Sequence, residues 1–158
     1  MLSIPEINKR KTGDHNKLLD RIIRDNLVTR LLILHGASCI SRLWKEPKLM
    51  TCGVYFGKGQ YSNFNVIAIP DLVVLLTDSV LIFTEVKTHA SYSSICDMDR
   101  QLEIYQDYVC HYAHNLEKFL TQEGTHVDLH QGVTFGFLGV RGTKTGIKTI
   151  KYYEQKRI

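Results

Sequence analysis

Residues 70–87, PDLVVLLTDSVLIFTEVK, contain two apolar runs, LVVLL (72–76) and VLIFT (80–84), joined by the short polar segment Thr77-Asp78-Ser79. Two such runs around a three-residue connection predict a β-hairpin. Both runs are apolar at nearly every position, so we expect other elements to cover the hairpin on both faces.

Three charged residues, Asp71, Glu85 and Lys87, lie together at one end of the predicted hairpin. If Leu76 pairs with Val80, the register brings Asp71 opposite Glu85. Opposed residues have Cβ atoms roughly 4.5–5.5 Å apart, and two like charges there are destabilising. A divalent metal would relieve this repulsion, since Mg²⁺ is typically held by one or two carboxylates together with substrate phosphates.

Lys87 projects from the same face as Glu85, because side chains two apart in a strand share a face. The two acids and the amine therefore predict a site that hydrolyses a phosphodiester. A plainer alternative is that Asp71 caps a turn, and that Glu85 and Lys87 are neighbours on an exposed strand end.

A helix is predicted from Asp14 to about His35, with an apolar stripe through Leu18, Ile22, Leu32 and Ile33. Asp25 falls inside that stripe and His15 lies on the same inner side, whereas Asp20 points outward. A carboxylate on the inner face of a helix is costly unless it is paired. Asp25 is therefore a candidate site residue, or else the partner of an inward arginine such as Arg42.

The remaining pattern predicts strands at 37–45, 49–57, 133–140 and 146–153, and a second helix from about 95 to 121. This order indicates an α/β fold, on the borderline with α+β, in which helices flank a mixed central sheet. At 158 residues the chain has the size of one domain. We expect a single domain over 1–158, with residues 1–12 forming a flexible basic arm.

The composition bounds the function only broadly. The net charge of +4 favours anionic partners, but it is also typical of ordinary basic proteins. No apolar stretch is long enough to span a membrane, and the N-terminus has no signal-peptide core, so we expect an intracellular protein. The four cysteines form no CxxC pair, which disfavours a zinc or iron–sulfur site and predicts buried, reduced thiols.

The PD at 70–71 followed by EVK at 85–87 resembles the motif of the PD-(D/E)xK nuclease superfamily, and Gln101 with Tyr105 resembles the QxxxY element of its RecB-like branch. The superfamily includes restriction enzymes and archaeal Holliday-junction resolvases. Its restriction-endonuclease-like core, a helix, three strands, a helix and another strand, is similar to the order predicted above.

The resemblance implies a role for each matching residue. Asp71, Glu85 and the Val86 carbonyl would bind Mg²⁺ or Mn²⁺, and Lys87 would orient the attacking water. Gln101 and Tyr105 would position the substrate backbone or Lys87. The first helix would add one more ligand, for which Asp25 is the first candidate, His15 the second and Asp20 the third.

The residues predict a metal-dependent nuclease, and the resemblance implies DNA as its substrate, because most of the superfamily acts on DNA. The alternatives are an RNA endonuclease, or a nucleic-acid-binding or assembly protein that keeps the fold without catalysis. Homodimers are common among resolvases, so the resemblance allows a homodimer. Phosphate contacts are expected from basic residues near the loops and the last strands, namely Lys45, Lys48, Lys58, Arg141, Lys144, Lys148 and Lys151. Four aromatic residues before the hairpin are candidates for stacking on bases, namely Tyr55, Phe56, Tyr61 and Phe64.

Overall fold

The computed structural model describes residues 13–34, 40–55, 66–125 and 133–156. Within these ranges the helices are α1 (Gly13–Arg24), α2 (Leu27–Leu34), α3 (Tyr92–His111) and α4 (Ala113–Gln122). The strands are β1 (Ile40–Lys45), β2 (Lys48–Met50), β3 (Gly53–Tyr55), β4 (Val66–Ala68), β5 (Leu72–Leu76), β6 (Val80–Lys87), β7 (Thr134–Gly142) and β8 (Ile147–Lys156).

The main sheet has five strands in the order β1-β5-β6-β7-β8. Strands β6 and β7 run parallel, and the other neighbouring strands in this sheet are antiparallel. Strands β3, β2 and β4 form a separate three-stranded antiparallel sheet. The prediction of a mixed α/β protein, in which helices accompany a mixed central sheet, is confirmed.

The hairpin β5–β6 has the predicted register. Val73 pairs with Phe83, and Leu75 pairs with Leu81. All five residues of β5 and most of β6 are buried, as the continuous apolar runs predicted. Because both faces are apolar, side-chain alternation alone does not fix this pairing. The short turn does, and it is closed by the hydrogen bond from the Ser79 N–H to the Leu76 carbonyl oxygen at 3.1 Å.

Each face of the hairpin packs against a different core. Val73, Leu75, Leu81 and Phe83 join a cluster that includes residues of α3, α4 and the small sheet. The alternate residues of β5 and β6 pack against α1 and α2. Burying each of these large side chains contributes roughly 1.5–3 kcal/mol. The hairpin is thus the central layer between two sets of helices.

Both predicted long helices are interrupted. The helix expected over 14–35 ends at Arg24 and restarts at Leu27, with Asn26 at a φ of 52° between the two parts. Asparagine tolerates this left-handed conformation better than most residues do. The helix expected over 95–121 begins at Tyr92 and breaks at Tyr112, which joins α3 to α4.

The segment before the hairpin also differs from the prediction. Instead of one strand over 49–57, β2 and β3 form a hairpin of their own, and β4 has no counterpart in the prediction. These strands have three residues each, which is too short for a clear periodic signal. The strands predicted at 133–140 and 146–153 correspond to β7 and β8 with shifted ends, and the described part of the strand predicted at 37–45 is β1, which ends at Lys45 as predicted.

Three further expectations concern the basic arm, membrane-spanning segments and the cysteines. The basic arm predicted at 1–12 lies outside the described residues. No helix in the described ranges is long and apolar enough to cross a membrane. The prediction of buried thiols is wrong for Cys52, Cys96 and Cys110, whose thiols are free and exposed, and Cys39 lies outside the described residues.

Candidate active site

Two buried carboxylates lie at one end of the β5–β6 hairpin. Asp71 directly precedes β5 and is 1% exposed, and Glu85 lies in β6 and is 7% exposed. Leu72 pairs with Thr84, so one further step of the same register brings Asp71 opposite Glu85. The alternative of an exposed strand end does not apply, because both acids are buried.

Asp71 is held by the backbone of the opposite strand and by the first helix. Its Oδ2 accepts the Val86 N–H at 2.7 Å and lies 3.3 Å from His15 Nε2. The same imidazole nitrogen is 3.1 Å from the Val86 carbonyl oxygen. His15 is buried on α1, as its inner position predicted. The structure thus brings His15, Asp71 and both backbone polar groups of Val86 together.

Glu85 is bound from the opposite face of the sheet. Tyr105 on α3 is fully buried, and its hydroxyl donates to Glu85 Oε1 at 3.3 Å. Burial, together with the negative charges of Glu85 and Asp71, raises the pKa of Tyr105 well above its usual value. The phenol therefore stays protonated and remains a hydrogen-bond donor to Glu85.

Lys87 and Gln101 are partly exposed at the edge of this cluster. Lys87 ends β6 and pairs with Arg141 of the parallel strand β7. Gln101 lies one helical turn before Tyr105 on α3, so the two share a helix face. Both side chains therefore lie at the solvent boundary, whereas the two acids lie inside it.

Asp25 does not lie where helical periodicity predicted. Because α1 ends at Arg24, Asp25 leaves the apolar stripe and pairs with Arg24, with its carboxylate 3.2 Å from Arg24 Nε. This neighbour lowers the pKa of Asp25 through a side-chain hydrogen bond. Asp25 also lies ten positions after His15, a displacement of about 15 Å along the axis of α1. Asp25 is therefore removed from the candidate ligand set.

The other first-helix alternatives are also resolved. Asp20 points outward as predicted, and its Oδ1 lies 2.9 Å from Lys45 Nζ. Arg42, the alternative partner for Asp25, instead donates to the Glu123 carbonyl oxygen at 2.8 Å. His15 is then the first-helix side chain that reaches the acid pair.

The donor types in the cluster suit a hard divalent cation. Two carboxylates and a backbone carbonyl are oxygen ligands of the kind that Mg²⁺ and Mn²⁺ prefer, and an imidazole is a common additional ligand. Among the described residues, no group of three or more His, Cys, Asp or Glu side chains is placed so that it could hold a metal ion by itself. An ion held by the two carboxylates and the carbonyl alone would therefore take its remaining ligands from water and substrate phosphates.

The Val86 amide is the contact that sequence reasoning missed. The carbonyl of Val86 was expected to contribute, but its N–H also anchors the Asp71 carboxylate. The predicted hairpin register contained a signal for this contact, because a side chain opposite Glu85 lies within reach of the Val86 N–H.

The structure describes only some of the residues that were predicted to contact nucleic acid. Lys45 and Lys151 pair with Asp20 and Asp99. Tyr55 is exposed at the end of β3. Lys48 begins β2 and is partly exposed. Four other predicted contacts lie outside the described residues, namely Phe56, Lys58, Tyr61 and Phe64.

No protein-family model, curated protein or solved structure matches this chain. The functional assignment therefore rests on the residues and the geometry described above.

Proposed function

We propose that this protein is a metal-dependent nuclease that hydrolyses phosphodiester bonds of DNA, with linear or branched duplexes as the favoured substrates. One observation carries the proposal: two carboxylates, buried in a hairpin that is otherwise apolar, lie at the same end with His15 3.3 Å from one of them. Burying like charges together is costly. A bound cation would offset that cost and would explain why two acids are buried together.

The order of elements supports a restriction-endonuclease-like core. A helix precedes the antiparallel strands β1, β5 and β6, and α3 then leads to β7, which is parallel to β6. This order is similar to that of the PD-(D/E)xK superfamily. In that arrangement the acids at the end of the central hairpin belong to the catalytic centre.

Asp71, Glu85, His15 and the Val86 carbonyl would hold Mg²⁺ or Mn²⁺. Such an ion lowers the pKa of bound water and stabilises negative charge on the phosphate. Before an ion binds, the Val86 N–H and the His15 imidazole orient Asp71, and the Tyr105 hydroxyl orients Glu85. Each carboxylate therefore has a fixed direction before substrate binds, which lowers the cost of organising the site. His15 Nε2 cannot donate to these oxygens and bind an ion at the same time, so it would leave this contact to act as a ligand.

Lys87 would act at the solvent-facing side of the acids. Its ammonium group would orient the attacking water and stabilise the charge that develops on the scissile phosphate. Water would form the new P–O bond while the bond to the leaving oxygen breaks, without a covalent enzyme intermediate. Gln101, one turn from Tyr105, would contact the substrate backbone.

The test is a cleavage assay with linear, circular and branched DNA, and with RNA, each in Mg²⁺ or Mn²⁺. Wild type is compared with Glu85→Ala and with Lys118→Ala, an exposed site on α4. We expect cleavage of DNA by wild type and Lys118→Ala, and loss of cleavage in Glu85→Ala.

The other outcomes separate the alternatives. Equal cleavage by wild type and Glu85→Ala would reject the catalytic assignment. Cleavage of RNA alone would identify an RNA endonuclease, and binding without any cleavage would favour the nucleic-acid-binding or assembly protein. Among DNA substrates, cutting of linear DNA alone indicates an end-dependent enzyme, and cutting of branched DNA alone indicates a resolvase.

A further inference from the structure

A cavity of about 730 Å³ lies between α1 and the turn that joins β7 to β8. Its charged lining is mainly basic, with four cationic and two acidic side chains: Lys17, Arg21, Arg24, Lys144, Asp14 and Asp20. Asp20 also binds Lys45 at 2.9 Å, which offsets part of its negative charge. We call this feature the basic cleft.

One wall of the basic cleft is a row of cations on α1. Lys17, Arg21 and Arg24 follow one another at spacings of four and three residues, so they lie along one face of the helix. Lys17 and Arg24 are separated by about 10 Å along the helix axis. That distance is roughly the axial rise of three nucleotides in one strand of B-DNA.

The opposite wall is a turn that α1 holds in place. Arg21 Nη2 donates to the carbonyl oxygens of Thr143 and Gly146 at 3.1 and 3.0 Å. The turn also closes on itself, because the Thr143 N–H donates to the Gly146 carbonyl oxygen at 2.8 Å. Lys144 lies within this pinned turn, so the turn holds its charge across the cleft from α1.

Helix and strand approach each other closely at the base of the basic cleft. A Cβ added at Gly142 would lie 2.8 Å from Leu18 Cδ2, so glycine permits this contact. Together with the Arg21 hydrogen bonds, this close packing defines the width of the cleft. The cleft is therefore a concave surface held in place by packing and hydrogen bonds, and its cations are not independent surface charges.

The basic cleft adjoins the acid pair. Thr88 lines the cleft and follows Lys87 directly, so the cleft begins where β6, the strand that carries Glu85, ends. A nucleic-acid backbone that continued from the acid pair past Thr88 would meet Lys144 and the cations on the outer side of α1. Exposed charges on a helix are often no more than a solvated face, but here they line a concave surface beside two buried acids.

We propose that the basic cleft binds the sugar–phosphate backbone of the nucleic-acid substrate on one side of the scissile phosphate. This inference rests on the proposed nuclease function for its choice of partner. Lys17 and Lys144 supply phosphate contacts from opposite walls. Arg24 lies farther along α1 and supplies a weaker contact, because Asp25 offsets part of its charge at 3.2 Å. Such contacts give affinity and register without reading the base sequence.

The test measures binding of a fluorescein-labelled DNA duplex by fluorescence anisotropy, with Ca²⁺ replacing the catalytic metal and salt varied between about 50 and 200 mM. The variant Lys17→Ala/Lys144→Ala is compared with Arg100→Ala/Lys118→Ala. The control pair removes the same charge from exposed positions on α3 and α4. Circular dichroism confirms that each variant is folded.

We expect the cleft variant to bind about tenfold or more weakly at low salt, and the slope of log K against log salt to fall by about 2, since each phosphate contact contributes about 0.9. The control pair should retain nearly the wild-type slope. Equal losses in the two variants, or a wild type that binds no DNA, would overturn the cleft assignment.

Binding and cleavage separate this inference from the nuclease proposal. If wild type binds through the cleft but cleaves no substrate with Mg²⁺ or Mn²⁺, the cleft assignment stands and the nuclease proposal fails. If wild type cleaves DNA and the cleft variant binds as tightly as the control variant, the nuclease proposal stands and the cleft assignment fails.

Discussion

The imidazole Nε2 of His15 lies 3.3 Å from Asp71 Oδ2, which links the first helix to the central hairpin at a buried position. From the other face of the sheet, Tyr105 reaches Glu85 at 3.3 Å. Helices on both sides of the hairpin thus orient the two acids. Each of the two acids therefore has a side-chain partner on a neighbouring helix that holds the direction of its carboxylate.

His15→Ala is expected to weaken Mn²⁺ binding by about tenfold to 100-fold, because it removes a group that would bind the ion and also orients Asp71. The control Asp25→Asn should bind Mn²⁺ like wild type, since Asp25 pairs with Arg24. Titration of Mn²⁺ monitored by electron paramagnetic resonance, without substrate, measures both affinities. A loss of affinity in Asp25→Asn equal to that in His15→Ala would restore Asp25 as the first-helix ligand.

Tyr105→Phe is expected to make the protein less sensitive to alkaline pH. The pKa of Tyr105 is raised in the folded protein, whereas an unfolded tyrosine ionises near pH 10. Above about pH 10 unfolding therefore releases a proton, and wild type loses up to about 1.4 kcal/mol of stability per pH unit from this residue. Below that pH this contribution to stability is fully present.

Urea unfolding at several pH values above and below pH 10 measures this effect. The phenylalanine side chain has no proton to release, so the Tyr105→Phe variant should lose stability less steeply than wild type. Tyr92→Phe is the control, because the Tyr92 side chain is 85% exposed and its removal should leave the wild-type slope. Identical slopes for wild type and Tyr105→Phe would contradict the buried Tyr105–Glu85 contact.

Gly139→Ala is expected to destabilise the protein by about 1–3 kcal/mol through overpacking. A Cβ at Gly139 would overlap Met98 Sδ and lie 2.9 Å from Met98 Cγ, and Met98 is fully buried on α3. Gly139 also pairs with Glu85, so the added methyl group would push α3 away from the strand that carries this acid.

Urea denaturation of Gly139→Ala measures this cost, and Gly13→Ala at the start of α1 is the matched control. A Cβ at Gly13 meets nothing within 4 Å, so this substitution should not lower stability. Equal stability of Gly139→Ala and wild type would show that α3 can shift without cost.

Arg21→Ala is expected to lower stability by about 2 kcal/mol, because it removes charged hydrogen bonds to two backbone carbonyls of the β7–β8 turn. Arg24→Ala on the same helix should change stability little, since an exposed ion pair contributes little. Thermal unfolding compares the two variants, and amide hydrogen exchange should show faster exchange in residues 143–146 of Arg21→Ala. Equal exchange in both variants would contradict the pinned turn.

The hairpin and its acid pair were predictable because two uninterrupted apolar runs around a short turn permit few registers. Side-chain alternation then places Asp71 opposite Glu85 without further information. The inward position of His15 followed from the same apolar stripe that fixed the face of α1.

The helix break at Asp25–Asn26 was not predictable from periodicity. Ile22 before the break and Val28 after it are both buried, so the apolar pattern continues across the break although the helix is interrupted there. The identity of the first-helix candidate depended on this break. Because α1 ends at Arg24, helical spacing does not determine where the Asp25 side chain points.

The basic cleft was beyond sequence reasoning for a different reason. Lys17 and Lys144 come together through a turn that Arg21 holds by backbone contacts, and backbone carbonyls leave no signature in the sequence. The concavity depends on tertiary packing rather than on a local pattern.

The most direct test of the central claim is the rate of Mg²⁺-dependent cleavage of a DNA duplex by wild type and by Asp71→Asn. Asparagine keeps the size of the side chain and can still accept the Val86 N–H, but it removes the negative charge that would bind the ion. We expect cleavage by wild type that chelation abolishes, and a rate in folded Asp71→Asn reduced by more than about 100-fold. Cleavage at the wild-type rate by Asp71→Asn would contradict the central claim.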